Sequence, residues 1–301
     1  METFEAGIYK RYKDLITGSG LEIKLNNVPR KVSLFEIMDD YDVFCFDGYG
    51  TLYNRGDFIY PHAKEWFDEL RKKNKALRLV TNAASDVTEV LATDAKKRGF
   101  DFSSSETISS GSLLLDLSKK LRQEGRNIDE VFYIGRESGN HVLESCGMQA
   151  KENPVCPVVA VSSAKETPQS YAKAVELLRE PGAILLVLNS DAWAPKTDGS
   201  REPVSGALAE RLRLDSCCAA NGFEGAKTYY LGKPFIGIWG KVKATLPHGA
   251  RVLMVGDTLG TDVLGANIAG FDSALVLGRN QPADELEQDE KWLGIRPDYY
   301  L

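Results

Sequence analysis

Residues 41–46, Tyr-Asp-Val-Phe-Cys-Phe, run directly into Asp47-Gly48-Tyr49-Gly50-Thr51. The first segment is apolar, β-branched and aromatic, and the second is a glycine-rich turn, so together they read as a buried strand delivering a carboxylate into a loop. Ligands of open parallel sheets bind at such strand ends. This one feature asks for a parallel α/β sheet with chemistry at Asp47.

The remaining chain supplies strands and helices in alternation. Helical spacing of apolar residues is found at 8–17, 32–40, 62–74, 87–98, 111–122 and 170–179. Short apolar runs at 77–80, 131–134, 154–161, 184–188, 251–255 and 274–277 read as strands, the last taken as the final strand of the chain. Alternation of this kind predicts a doubly wound α/β lobe, and 123–227 has enough strands and helices for a second α/β lobe. The helical leader, 1–40, reads as a structural brace.

Composition narrows the function. With 301 residues, 43% hydrophobic and 27% charged, the chain is long enough for two lobes and ordinary for a folded globular protein. The net charge is −6 and the basic residues are scattered among acids, which argues against nucleic acid as a partner. Its apolar stretches fall well short of the roughly 18–20 residues that span a bilayer. The first ten residues carry no apolar signal core, so a cytoplasmic location is expected.

Cysteines 45, 146, 156, 217 and 218 lack metal-ligand spacing and read as free thiols. His62, His141 and His248 accompany no nucleophile motif and read as surface or packing residues.

A second strand end presents Gly256-Asp257, with Asp262 five residues on. Carboxylates from separate strand ends suit a hard cation such as Mg²⁺, with too few ligands for Ca²⁺. They equally suit capping of the helix that opens near Thr258. Thr81-Asn82 closes the strand at 77–80, and Gly232-Lys233-Pro234 puts a lysine in a turn. Thr81, Asn82 and neighbouring N–H groups would hold phosphate oxygens at a helix start, with Lys233 offsetting charge. Taken singly, these fragments also fit an ordinary helix cap and a surface turn.

Taken in order, Asp47-x-x-Gly50-Thr51, Thr81-Asn82, Gly232-Lys233-Pro234 and Gly256-Asp257-x-x-x-Thr261-Asp262 resemble the four signature motifs of the haloacid dehalogenase superfamily. Thr81 follows Asp47 by 34 positions and Lys233 follows Thr81 by 152, so a cap domain fits only between the second and third motifs. That layout resembles the class IIA enzymes, which include N-acetylglucosamine-phosphate, nitrophenyl-phosphate and pyridoxal-phosphate phosphatases. Residues 109–111, 133–135, 189–191 and 203–208 echo the same class. The resemblance spans roughly 41–277. It implies a Rossmann-like parallel-sheet core in two parts, 1–122 and 228–301, with a smaller α/β cap at 123–227.

It also implies a mechanism. Asp47 would attack phosphorus to give an aspartyl-phosphate that water hydrolyses, with Lys233 orienting it. Mg²⁺ would be held by Asp47, Asp257 and the backbone carbonyl of Tyr49, with Asp262 in support. Thr81, Asn82 and Lys233 would contact the phosphoryl group. The substrate would be a small phosphorylated metabolite, met on the cap side by Asn189, Asp191 and Trp193, although that segment equally suits a tight outer turn and Trp193 the cap core; association of copies through their caps is expected.

Tyr49 departs from the pattern, because phosphatases of this superfamily carry there an aspartate that serves as general acid and base. A phenol with a pKa near 10 is a poor replacement. Slow turnover of alkyl phosphates is therefore expected, and a degenerate binding or regulatory protein is the alternative. A 2-haloacid dehalogenase shares the Asp-x-Tyr-Gly-Thr pattern, but places its cap between the first two motifs and needs no metal.

Overall fold

A computed structural model describes residues 4–23, 28–217 and 225–301. Cys218 and residues 1–3 and 24–27 of the leader lie outside them. The strands are β1 (Arg30–Lys31), β2 (Val43–Phe46), β3 (Ala76–Thr81), β4 (Thr107–Ser109), β5 (Glu130–Ile134), β6 (Gln149–Ala150) and β7 (Val158–Val161). They continue as β8 (Ile184–Val187), β9 (Trp193–Pro195), β10 (Arg201–Pro203), β11 (Lys227–Tyr230), β12 (Val252–Gly256), β13 (Asp272–Leu275) and β14 (Tyr299–Tyr300).

Seven strands form one all-parallel sheet in the order β1-β14-β13-β12-β2-β3-β4. Its central strands are apolar throughout because both faces are covered. Val43 and Cys45 face one apolar cluster with Met254, Ile238 and Trp239, whereas Phe44 and Phe46 face another with Leu253, Val255, Trp66 and Phe67. Chain order runs outward from β2 through β3 to β4, and on the other side from β12 to β13. The β2/β12 boundary is thus a topological switch point, where open α/β sheets bind ligands.

A second all-parallel sheet, β11-β8-β7-β5-β6, is built between β4 and β12, with the antiparallel β9/β10 hairpin beside it. The expected architecture, a parallel α/β core with a smaller α/β cap between Asn82 and Lys233, is what the chain adopts. The edge strand β11 spans 227–230 and so straddles the boundary drawn at 227/228.

One element expectation is corrected. The strand at 274–277 is not the last: helix Leu286–Leu293 and β14 follow, and β14 pairs with β13 and β1. Two-residue strands such as β1 and β14 are too short to produce a periodic signal. Among the described residues, no helix is long and apolar enough to cross a membrane.

Candidate active site

The pairing of β2 with β12 brings two acids to one end of the sheet. The Asp47 N–H donates to the Val255 carbonyl at 2.9 Å, so the ladder continues one residue beyond β2 and fixes where the Asp47 side chain starts. The loop then folds back on Gly48, whose carbonyl accepts N–H groups of Thr51, Leu52 and Tyr53. Gly50 has φ +96°, and a Cβ there would lie 1.9 Å from Asp257 Oδ2, so only glycine lets this loop close on the second acid.

Lys233 joins the acids. Its Nζ donates to Asp47 Oδ1 at 2.6 Å and to Asp262 Oδ1 at 2.7 Å, and the whole residue is 1% exposed. The other Asp262 oxygen accepts the N–H groups of Asp257 and Thr258, both at 3.1 Å. Asp262 therefore holds the turn at the start of its helix, as the capping reading allows, and also pairs with the lysine. Asp257 does not cap: its oxygens accept the Thr258 hydroxyl at 3.1 Å and the Asn280 N–H at 3.3 Å.

One oxygen from each of Asp47, Asp257 and Asp262 lies within 4.8 Å of the others, all three residues being buried. Three carboxylates face one ammonium, so the ionised cluster carries two uncompensated negative charges among buried residues. Burial pushes the Asp47 carboxyl up to about 7 even against the pull of Lys233. Asp257 is driven well above the usual carboxylate range by burial and then by Asp47 and Asp262. Burial pulls the Lys233 ammonium down, but Asp262 and Asp47 more than reverse that, leaving it raised and charged. A divalent cation among these oxygens would supply the missing charge, and hard oxygen donors are what Mg²⁺ takes. The donor set fits the ion.

A cavity of about 890 Å³ opens in front of Asp47. Tyr49 and Thr81 line it from the core, and Arg136, Ser162, Asn189, Asp191, Ala194 and Pro195 from the cap. Thr81 ends β3, buried, with its hydroxyl accepting the Ala83 N–H at 3.2 Å. Asn189 Oδ1 accepts the Asp191 N–H at 2.8 Å, which tightens the turn into the cavity. The Asp191 carboxyl is pushed up to about 6 by burial, against Lys233 and the amide of Asn82. Tyr49 stands edge-on to Tyr53 at 5.1 Å between ring centroids, and burial raises its phenol further above the ordinary value.

Two expectations change. The Asn82 side chain is committed within the protein: its Oδ1 accepts the Lys233 N–H at 2.7 Å, and its Nδ2 donates to Asp191 Oδ1 at 2.7 Å and the Lys233 carbonyl at 3.0 Å. It ties motif two to motif three and to the cap. Gly232, at φ +85°, allows that approach, since a Cβ there would sit 2.3 Å from Asn82 Oδ1. Trp193 is absent from the cavity wall. Its ring carries the Arg201 guanidinium at 4.2 Å, an intra-cap contact.

Sequence reading missed Arg279 and Asn280. The Arg279 guanidinium donates to the carbonyls of Gly50 and Thr51 at 3.2 and 3.1 Å and lies 3.8 Å from the Tyr60 ring centroid. Asn280 binds Asp257 through its N–H and the Thr258 hydroxyl through Nδ2 at 2.7 Å. Both lie just past β13, so the strand-end rule that found Asp47 and Asp257 would have pointed to them. The histidines are exposed, and Cys45, Cys146, Cys156 and Cys217 are free.

Comparison with known proteins agrees with this geometry. A haloacid dehalogenase-like hydrolase model matches residues 44–149 and a HAD-hydrolase-like model matches 230–301. Chronophin of Rattus norvegicus is 28% identical over 287 residues, covering 90% of this chain and 88% of that protein. Ribonucleotide monophosphatase NagD of Escherichia coli K12 is 27% identical over 233 residues, covering 75% and 84%. The structure of 4-nitrophenylphosphatase from Thermotoga maritima superposes with a TM-score of 0.68 at 26% identity, covering 88% of this chain and 95% of that one. With the four motifs gathered at one sheet end and the second lobe inserted between the second and third, the chain belongs to the haloacid dehalogenase-like hydrolases, class IIA.

Proposed function

We propose that the protein is a Mg²⁺-dependent phosphohydrolase of small phosphorylated metabolites, with Asp47 as its nucleophile. The observation that carries this reading is the buried Asp47–Lys233–Asp262 array beside Asp257, with Asp47 lining a cavity large enough for a metabolite. The names of its relatives, a ribonucleotide monophosphatase and a 4-nitrophenylphosphatase, support phosphate monoesters as the substrate class.

In this reading an Asp47 oxygen attacks phosphorus in line. A P–O bond forms to Asp47 as the bond to the leaving oxygen breaks, and water then attacks the aspartyl-phosphate, releasing phosphate and restoring the carboxylate. Lys233 holds Asp47 in a single orientation and remains charged throughout. Thr81 and the N–H groups of the loop after β3 receive the phosphoryl oxygens. Asn82 acts one step back, fixing the Lys233 turn. Asp47, Asp257 and the Tyr49 carbonyl would hold Mg²⁺, with Asp262 keeping their loop in place; the ion when bound offsets charge on nucleophile and phosphoryl oxygens.

Tyr49 limits this chemistry. Its phenol, raised by burial, stays protonated at neutral pH and is too weak an acid to protonate an alkoxide efficiently. Aryl and acyl phosphates, whose leaving groups need little protonation, are therefore the preferred test substrates. The same residue favours the second reading, a phosphate-binding or regulatory protein with a degenerate site. The dehalogenase reading has less support, because the cap follows motif two and the acidic trio fits a cation.

The deciding experiment is hydrolysis of 4-nitrophenyl phosphate with and without Mg²⁺, by wild type and Asp47→Asn. Turnover that needs Mg²⁺ and falls by at least about 10³-fold in the variant is expected. Absence of turnover across a broad phosphate panel favours the binding protein, and halide release from a 2-haloacid without metal favours the dehalogenase.

A further inference from the structure

The leader helix Phe4–Gly18 touches both lobes at the level of the site. Ile8, Tyr9, Tyr12 and Ile16 are buried in one apolar cluster that also holds Ala192 and Ala207 of the cap and Leu259 and Val263 of the core. Arg11 pairs with Glu210 of the cap at 3.2 Å and donates to the Tyr230 hydroxyl of β11, while Lys13 donates to the core carbonyl of Leu293. The Tyr12 ring stands edge-on to Tyr230 and Phe235, at 5.2 and 5.1 Å.

Tyr9 of this helix reaches both turns beside the site. Its hydroxyl accepts the N–H of Ala192, the residue after Asp191, at 3.1 Å. Its ring lies against Gly260, in the turn between Asp257 and Asp262, so closely that a Cβ at 260 would come 2.2 Å from Tyr9 Cγ. Burial first, then the Asp191 carboxylate, and last among its named neighbours Asp257, raise its phenol, which places it electrostatically between the cap turn and the acidic loop. Asp191 in turn accepts from Asn82, and Asn82 accepts from the N–H of Lys233.

We infer that Tyr9 is a positioning residue of the site, and that the leader helix is a strap fixing the cap turn 189–192 against the core loop 257–262. The contact sequence runs from the Tyr9 hydroxyl through Ala192 and Asp191 to Asn82 and the Lys233 turn. In a capped enzyme, closure completes the site and opening releases product. A strap that spans the two lobes makes the closed arrangement of this turn the resting one.

Tyr12 supplies a matched control. It is as deeply buried on the same helix, yet its hydroxyl has no hydrogen-bond partner among the described residues. Tyr9→Phe and Tyr12→Phe each remove one buried oxygen, and only the first removes a bond to the cap. The test is amide hydrogen exchange of the full-length protein, read at Ala192, together with kcat and KM for 4-nitrophenyl phosphate. In Tyr9→Phe the Ala192 amide exchanges about tenfold faster or more, with strands β5 and β7 unchanged, because one donor loses its acceptor locally. Its kcat falls about tenfold with little change in KM, since the turn behind Lys233 loosens, whereas Tyr12→Phe behaves as wild type in both. The exchange readout stands whether or not the protein is a phosphatase, so failure of that activity is distinguishable from failure of the strap. The inference is overturned if Ala192 exchange in Tyr9→Phe matches wild type. It is also overturned if β5, β7 and Ala192 accelerate together, or if Tyr12→Phe has the same effect.

Discussion

The two walls of the cavity are built on different terms. On the core side, Asp47 lines the cavity, with Lys233, Asp257 and Asp262 in the cluster behind it; all four are under 9% exposed, and each has a partner at 2.6 to 3.3 Å. On the cap side, Arg136 is exposed and its guanidinium makes no hydrogen bond or ion pair with the described residues. A buried, mutually restrained set of charges can be productive in one geometry only, which suits a reaction common to many substrates. An exposed cation without a fixed partner can meet leaving groups of different shape. In the proposed reading the core side sets the chemistry, and the cap side is where discrimination is to be sought.

That contrast can be broken by experiment. The largest effect is expected from Lys233→Met, which leaves Asp47 and Asp262 facing each other without a cation. It should lower turnover of 4-nitrophenyl phosphate by about 10³-fold and destabilise the metal-free protein by about 3–5 kcal/mol in urea denaturation. A loss within tenfold would mean that the core side is less committed than its geometry implies.

Tyr49→Asp sharpens the comparison from the opposite direction, by adding a titratable carboxyl at the cavity edge. Turnover of an alkyl phosphate should rise by about 10²-fold, with a smaller gain for an aryl phosphate. Unchanged or lower rates would show that the site lacks more than an acid.

Asp191 stands on the cap side but is tied to the core through Asn82, and its pH dependence reports that tie. Its folded pKa of about 6 exceeds the unfolded value of about 3.9, so the fold favours the protonated form. Its contribution to stability is full below about pH 4 and is lost as pH rises through about 6. Relative to wild type, Asp191→Asn should gain up to about 3 kcal/mol at pH 7 and almost nothing at pH 4, measured by urea denaturation of the metal-free protein. A difference independent of pH would contradict the buried, shifted carboxyl.

The smallest effect is expected at Arg136. Replacing it with alanine removes an exposed charge and should change kcat/KM for a small aryl phosphate by less than about fivefold. A larger loss would move Arg136 into the machinery of the reaction.

The sequence was most informative where a side chain's role follows from the end of a strand. Asp47 and Asp257 follow uninterrupted apolar runs, and a parallel sheet brings such ends together, so their meeting was legible before any coordinates. Lys233 was legible only through its order among the other motifs, because a lysine in a turn has no periodicity to mark it. Asn82 was located but its use was not, since its amide partners are 109 and 151 positions away. Trp193 fits either a cavity wall or the cap interior by sequence, and the structure favours the second, with Arg201 in the paired strand β10 covering its ring. The leader helix was recognisable from its apolar spacing, but not the hydroxyl of Tyr9 reaching Ala192 across 183 positions.

The central claim is that Asp47 carries the phosphoryl group during turnover. It is tested most directly by quenching the protein in acid during steady-state hydrolysis of an aryl phosphate with Mg²⁺, then locating phosphoryl groups by peptide mass spectrometry. A phosphoryl group on the peptide containing Asp47, absent from Asp47→Asn and lost on treatment with hydroxylamine, is the predicted result. Steady hydrolysis with no phosphorylated Asp47, or with the phosphoryl group on another residue, would contradict the account.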